Sequence, residues 1–166
     1  MKVYINNDKK LNSKVLCEEY FSLQVDFGYE LNKSNSYFQI NNGSSQSLEV
    51  TLNENNELSK VMLLCSDDYS VKNEEIGASE CVEGVIYFDK FANIDSELFE
   101  ITVYNDAITL LFSSMNVIRK LKQGNLILSL DEKDKIVSFT VVNLKGKERQ
   151  HILDELQYSK EEKQSN

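Results

Sequence analysis

The chain has 166 residues, 41% of them hydrophobic and 27% charged, and a formal net charge of −9. These proportions fit one ordinary globular domain or two very small ones, and exclude an intrinsically disordered chain. The acid excess works against binding phosphate backbones or anionic lipid, which takes clustered Lys and Arg, and favours a basic partner.

The N-terminal stretch MKVYINNDKKLNSK is polar by its sixth residue. It lacks the apolar centre of a secretory signal, and no run in the chain approaches the roughly 20 apolar residues of a membrane span. A cytoplasmic location is the expectation. Val3 to Ile5 reads as a short opening strand, and Asn7 to Glu19 has no single pattern. Phe21, Leu23, Val25 and Phe27 then alternate with polar residues, which puts four apolar side chains on one face of a strand.

Leu48 to Leu52 alternates in the same way. The polar Asn53 to Glu57 follows, and then the largely apolar Leu58 to Cys65, so the segment reads as a hairpin. Asp67 to Glu83 is acidic, poor in large apolar residues and contains Gly77. It is expected to be a linker or loop, with room for one helical turn. Val85 to Phe88 reads as a strand opening the second half. Phe99, Ile101 and Val103 alternate, Asn105-Asp106 offers a turn, and Ile108 to Phe112 returns as a strand. Val117 to Leu121 is a further short candidate. Asn125 to Leu130 and Ile136 to Val142 form a second hairpin about Asp131 to Asp134. After Gly146, Ile152, Leu153 and Leu156 fall at helical spacing within Glu148 to Tyr158. The last residues, SKEEKQSN, are polar and expected to fray.

The two hairpins can be overlaid. SLEVTLNENNELSKVMLL from Ser47 lies over NLILSLDEKDKIVSFTVV from Asn125, an offset of 78, with Leu48 on Leu126, Leu52 on Leu130 and Leu58 on Ile136. The same offset places Phe21, Leu23 and Val25 on Phe99, Ile101 and Val103. The expected fold is therefore mainly β, with α+β as the alternative. Its antiparallel strands form two related tandem units, 1–82 and 83–166, the second closed by a helix, and the two can pack as a single domain.

Catalytic and metal signatures are sparse. Cys17, Cys65 and Cys81 are too scattered for a disulfide framework or a zinc site and read as free thiols. His151 is the single histidine and reads as a surface residue of the helix, because no nucleophile turn accompanies it. The loops 53–57 and 131–134 are rich in oxygen but lack the calcium-loop pattern, and read as hairpin turns. No glycine-rich phosphate loop is present. Arg119, Lys120 and Lys122, and Lys145, Lys147 and Arg149, read as solvated groups on an acidic protein. No cofactor, metal site or nucleic-acid partner is expected.

Carboxylates beside an aromatic remain: Asp67, Asp68, Tyr69, Glu74, Glu75 and Glu80. Such a cluster suits a basic protein surface. The functional expectation is a non-catalytic acidic binding protein whose partner carries a basic surface, such as a toxin domain. Small, acidic, motif-free cytoplasmic chains resemble bacterial immunity proteins in general character, though the resemblance assigns no residue. The alternatives are a general adaptor or regulatory protein, and a carboxylate-dependent hydrolase.

Overall fold

The structure, a computed structural model, describes residues 2–18, 21–29, 36–41, 47–65, 68–77, 79–89 and 99–165. The first half contains β1 (Val3–Asn6), β2 (Lys14–Glu18), β3 (Phe21–Asp26), β4 (Ser36–Asn41), β5 (Ser47–Leu52) and β6 (Leu58–Cys65). Two short strands follow, β7 (Tyr69–Val71) and β8 (Val82–Glu83). The second half contains β9 (Val85–Phe88), β10 (Glu100–Val103), β11 (Ala107–Leu111), β12 (Arg119–Gln123), β13 (Leu126–Leu130), β14 (Ile136–Val142) and one helix, α1 (Gly146–Ser165).

The strands make a mostly antiparallel protein with two large sheets. A five-stranded sheet has the order β2-β3-β6-β5-β4, and a seven-stranded sheet the order β7-β10-β11-β14-β13-β12-β8. Between them, β1 pairs with β9 as a two-stranded ribbon. Without β7 and β8, both large sheets follow one order by rank: first, second, fifth, fourth, third. The expectation of antiparallel strands fails only at the edges of the larger sheet, where β7 on β10 and β8 on β12 are parallel.

The two hairpins form at the expected places and match in detail. Leu48 faces Leu63 and Leu52 faces Leu58, with a register shift at Thr51/Leu52; Leu126 faces Val141 and Leu130 faces Ile136, with a shift at Ser129/Leu130. The turns match as well. Asn53 Oδ1 accepts the amides of Asn55 and Glu57 at 2.9 and 3.0 Å. Asp131 Oδ1 accepts those of Lys133 and Lys135 at 2.8 and 2.9 Å. Asn56 and Asp134 take the left-handed backbone at φ 60° and 58°, which Asn and Asp tolerate.

The overlay of Phe21, Leu23 and Val25 on Phe99, Ile101 and Val103 is overturned. β3 pairs with β6, whereas the strand that pairs with β14 is β11, not β10. By sheet position Leu23 and Val25 correspond to Ile108 and Leu110. Alternating apolar strands resemble one another whatever their neighbours, so the periodicity alone could not separate β10 from β11.

One contiguous apolar cluster takes side chains from both large sheets, the ribbon and the helix. Leu23, Val25, Phe99, Ile101 and Val103 are buried in it, while Phe21 is half-buried. The helix starts earlier and ends later than expected. The Lys145 amide donates to Glu148 Oε2 at 2.7 Å, a capping contact that satisfies one of the first-turn donors. The polar tail stays helical through pairs four residues apart, Gln157 to Glu161 and Tyr158 to Glu162. The helix packs on β2, β3 and β6, so the C-terminal element covers the N-terminal sheet. His151 Nε2 lies 3.4 Å from the Phe21 carbonyl and is half-buried, which corrects its reading as a plain surface residue.

Candidate binding surface

The stretch expected to be a linker instead closes both edges of the larger sheet. Tyr69, Ser70 and Val71 lie on Ile101, Thr102 and Val103, and Val82 and Glu83 lie on Leu121 and Lys122. The crossing between them runs along the end of the sheet where β10 turns into β11. There the Lys72 amide donates to the Val103 carbonyl at 2.9 Å and the Asn105 amide to the Glu74 carbonyl at 3.0 Å. The Ile76 amide donates to Asp106 Oδ1, also at 3.0 Å. These bonds are almost all between main chains, so the backbone is fixed without burying the side chains.

The candidate residues divide accordingly. Glu74, Glu75 and Glu80 are exposed along the crossing, and Asp68 is exposed just ahead of β7. Asp67 lies outside the described residues. Tyr69 is not a free anchor as expected: it is half-buried, its hydroxyl donates to Gln157 Oε1 at 3.1 Å, and the Lys160 ammonium sits 5.9 Å from its ring centre. Tyr69 ties the crossing to the helix. Val71 and Val82, on the two flanking strands, are also exposed.

Charge is concentrated here. Residues 67–83 hold six carboxylates and one lysine, a balance of −5 within a chain of −9. At the end of the stretch Glu83 meets Lys122 at 3.0 Å and Lys10 at 3.8 Å, which lowers its pKa through the Lys122 hydrogen bond and charge. These partners surround a cleft of about 150 Å³ lined by Lys10, Leu11, Glu83, Gly84, Lys122 and Gly124. Small-molecule sites usually exceed about 300 Å³.

Basic residues noted in the sequence largely serve the fold. Arg119 donates to the Val3 carbonyl and to Asp134, both at 2.8 Å, and Arg149 Nε donates to the Tyr104 carbonyl at 2.8 Å. Among the described residues no cluster of His, Cys, Asp and Glu is placed to hold a metal ion. Cys17 and Cys81 are free thiols. Burial, and then the Glu148 carboxylate, push the Cys17 thiol up to about 11, which leaves it protonated and unreactive at neutral pH.

A second polar group surrounds Glu57. Its carboxylate accepts from Asn53 Nδ2 at 2.8 Å and Lys9 Nζ at 3.2 Å, and Tyr29 hydrogen-bonds to it as well. Burial favours its protonated form, but these three donors outweigh burial and the pKa is lowered. The Tyr29 hydroxyl is pushed far up by burial and by Glu57. A carboxylate held ionised and a phenol held protonated are poorly poised for proton transfer at neutral pH.

No protein-family model matches the chain, and no curated protein matches it.

Proposed function

We propose that this is a non-catalytic acidic binding protein that docks a basic protein surface along the crossing segment. The observation that carries the reading is the display of Glu74, Glu75 and Glu80 on a backbone pinned by main-chain bonds and two edge strands. A preformed acidic rim spends little entropy on binding and draws a basic partner by long-range attraction. Its fullest form is a bacterial immunity protein that works in the cytoplasm and neutralises a toxin; an adaptor or regulator docking a basic partner by the same rim is the alternative. A carboxylate-dependent hydrolase draws less support, because Glu57, enclosed by three donors, is held ionised. Affinity capture from a source-organism lysate with the wild type and with Glu74→Lys, Glu75→Lys, Glu80→Lys, followed by stopped-flow association with the captured protein, tests the reading. The triple variant should associate at least about tenfold more slowly, and the wild-type on-rate should fall with salt. Equal on-rates, indifferent to salt, would move the binding face elsewhere.

We also read the two five-strand sets as copies of one unit, each opened by its own ribbon strand. Their common strand order, matched register shifts and matched turn bonds support this. The ribbon adds a local two-fold: Val3 faces Phe88 while Asn6 faces Val85, so β1 and β9 meet as equivalents. On this reading the boundary near residue 82 separates two copies within one packed body.

A further inference from the structure

The acidic crossing leads into an aromatic pair. After Glu83, Gly84 turns the chain into β9, and its close approach to the Asn6 carbonyl, where an added Cβ would overlap, sets β9 against β1. Tyr87 then faces Tyr4 across the ribbon, and Glu57 bridges to the other side of Tyr87. Residues directly opposite one another put their side chains on one face, so Tyr4, Tyr87 and Glu57 form a row. The two rings stack with centroids 5.2 Å apart and planes 15° from parallel. Stacking uses one face of each ring. Tyr87 is half-buried, while Tyr4 keeps 39% of its surface exposed. The charges flanking the row are paired: Glu57 holds Lys9 at 3.2 Å, and Arg119, which donates to the Val3 carbonyl next to Tyr4, holds Asp134 at 2.8 Å.

We propose that the Tyr4–Tyr87 stack is the anchor of the acidic rim and takes an arginine side chain of the basic partner, which rests on the rim being the docking face. One partner can reach both. Four residue steps separate Glu83 from Tyr87, at most about 14 Å of chain. An interface of ordinary size, about 800 Å² per partner, is roughly 30 Å across. Arginine is the cation that fits. Its guanidinium is flat, weakly hydrated and stacks on an aromatic face, whereas the lysine ammonium is compact and strongly hydrated. A tyrosine already held in a stack loses little freedom when a ligand joins it. Because the flanking charges are paired, the stack adds hold and not attraction. The rim sets how fast the partner arrives, and the stack sets how long it stays.

Titration of the full chain with a peptide of six arginines and with one of six lysines, followed by NMR at low salt, tests this. The arginine peptide should bind at least about fivefold more tightly, and the ring protons of Tyr4 and Tyr87 should shift with it and not with the lysine peptide. Tyr4→Ala should abolish the preference, and Tyr4→Phe, which keeps a ring, should retain it. The wild-type ring shifts supply the readout should Tyr4→Ala fail to fold. Equal affinity for the two peptides would overturn the proposal. So would a preference that survives Tyr4→Ala, ring signals that stay in place, or an arginine peptide that does not bind at millimolar concentration. The rim fails separately. Glu74→Lys, Glu75→Lys, Glu80→Lys should weaken both peptides alike. If that variant leaves both affinities untouched while the arginine preference persists, the rim is not the docking face and the stack stands as an arginine site on its own.

Discussion

Replacing Gln123 by Met should be among the most damaging conservative changes in the protein. Gln123 is 1% exposed, at the end of β12. Its Oε1 accepts the Ile86 amide at 2.7 Å, and its Nε2 donates to the Leu58 carbonyl at 2.8 Å. One side chain thus joins β12, the ribbon strand β9 and the first residue of β6. Met fills nearly the same volume, so little cavity forms, and the loss isolates the two bonds. Each leaves a buried main-chain group without a partner, at about 1–3 kcal/mol apiece, so the sum is roughly 2–6 kcal/mol. That is a large share of the ~5–15 kcal/mol that holds a domain folded. A loss of about 3 kcal/mol should lower Tm by roughly 6–12 °C. Urea unfolding should show the lower midpoint with an unchanged slope, and Gln150→Met on the exposed helix face should stay within about 0.5 kcal/mol. Gln123→Glu adds a check of sign. A carboxylate there faces the Leu58 carbonyl, so the folded state favours the proton and raises the pKa. The contribution is then present below the unfolded pKa of about 4.3 and lost as pH rises. This variant should be relatively more stable at pH 4 than at pH 7. A cost below about 1 kcal/mol for Gln123→Met would refute the bridging role.

Phe99→Ala should cost about 3–5 kcal/mol by urea unfolding, because the ring is buried and packs against Phe112 at 5.3 Å; the half-buried Phe21→Ala should cost less. Gly124→Ala should destabilise measurably, since Gly124 has φ 55° and an added Cβ would overlap Ser13 Oγ, whereas Gly77→Ala, in open space, should be nearly neutral. Glu57→Gln should make unfolding less sensitive to acid. The lowered pKa of Glu57 contributes stability that is present above the unfolded value of about 4.3 and lost as pH falls through its folded value, so the two proteins should converge in stability below pH 4.

How much of this was legible depended on whether the signal was local. The hairpins β5-β6 and β13-β14 could be read because alternation and an Asn- or Asp-led turn act within about 18 residues. β4 escaped notice because its alternation, Tyr37 to Ile40, sits between the Asn- and Ser-rich runs LNKSNS and NNGSSQS, which look like loop. β7 and β8 carry no strand pattern at all. Three and two residues long, they exist because β10 and β12 offer unpaired edges, a cause found only in the tertiary structure. The helix could have been extended from sequence by counting its pairs four residues apart. Of the candidate surface, the carboxylates were visible as composition, but the docking of Tyr69 on Gln157 was not. Gln123, in KLKQGN, looks like an ordinary residue before a turn, and nothing in its neighbours announces a buried bridge.

The acidic crossing has its physical origin in the strand order of the sheets. A five-stranded sheet in this order leaves two edges, and a second such sheet leaves two more. The segment between the halves must pass from β6 to β9, and on its way it pairs with both edges of the second sheet. Because main-chain bonds hold much of it, Glu74, Glu75 and Glu80 stay exposed and no carboxylate of the crossing is forced into the core, while Tyr69 docks on the helix. The C-terminal helix covers the face of the first sheet on its β2 side, with Ile152 and Leu156 fully buried. One connecting segment thus serves both edges of one sheet, and the acidic residues it carries gather along that sheet.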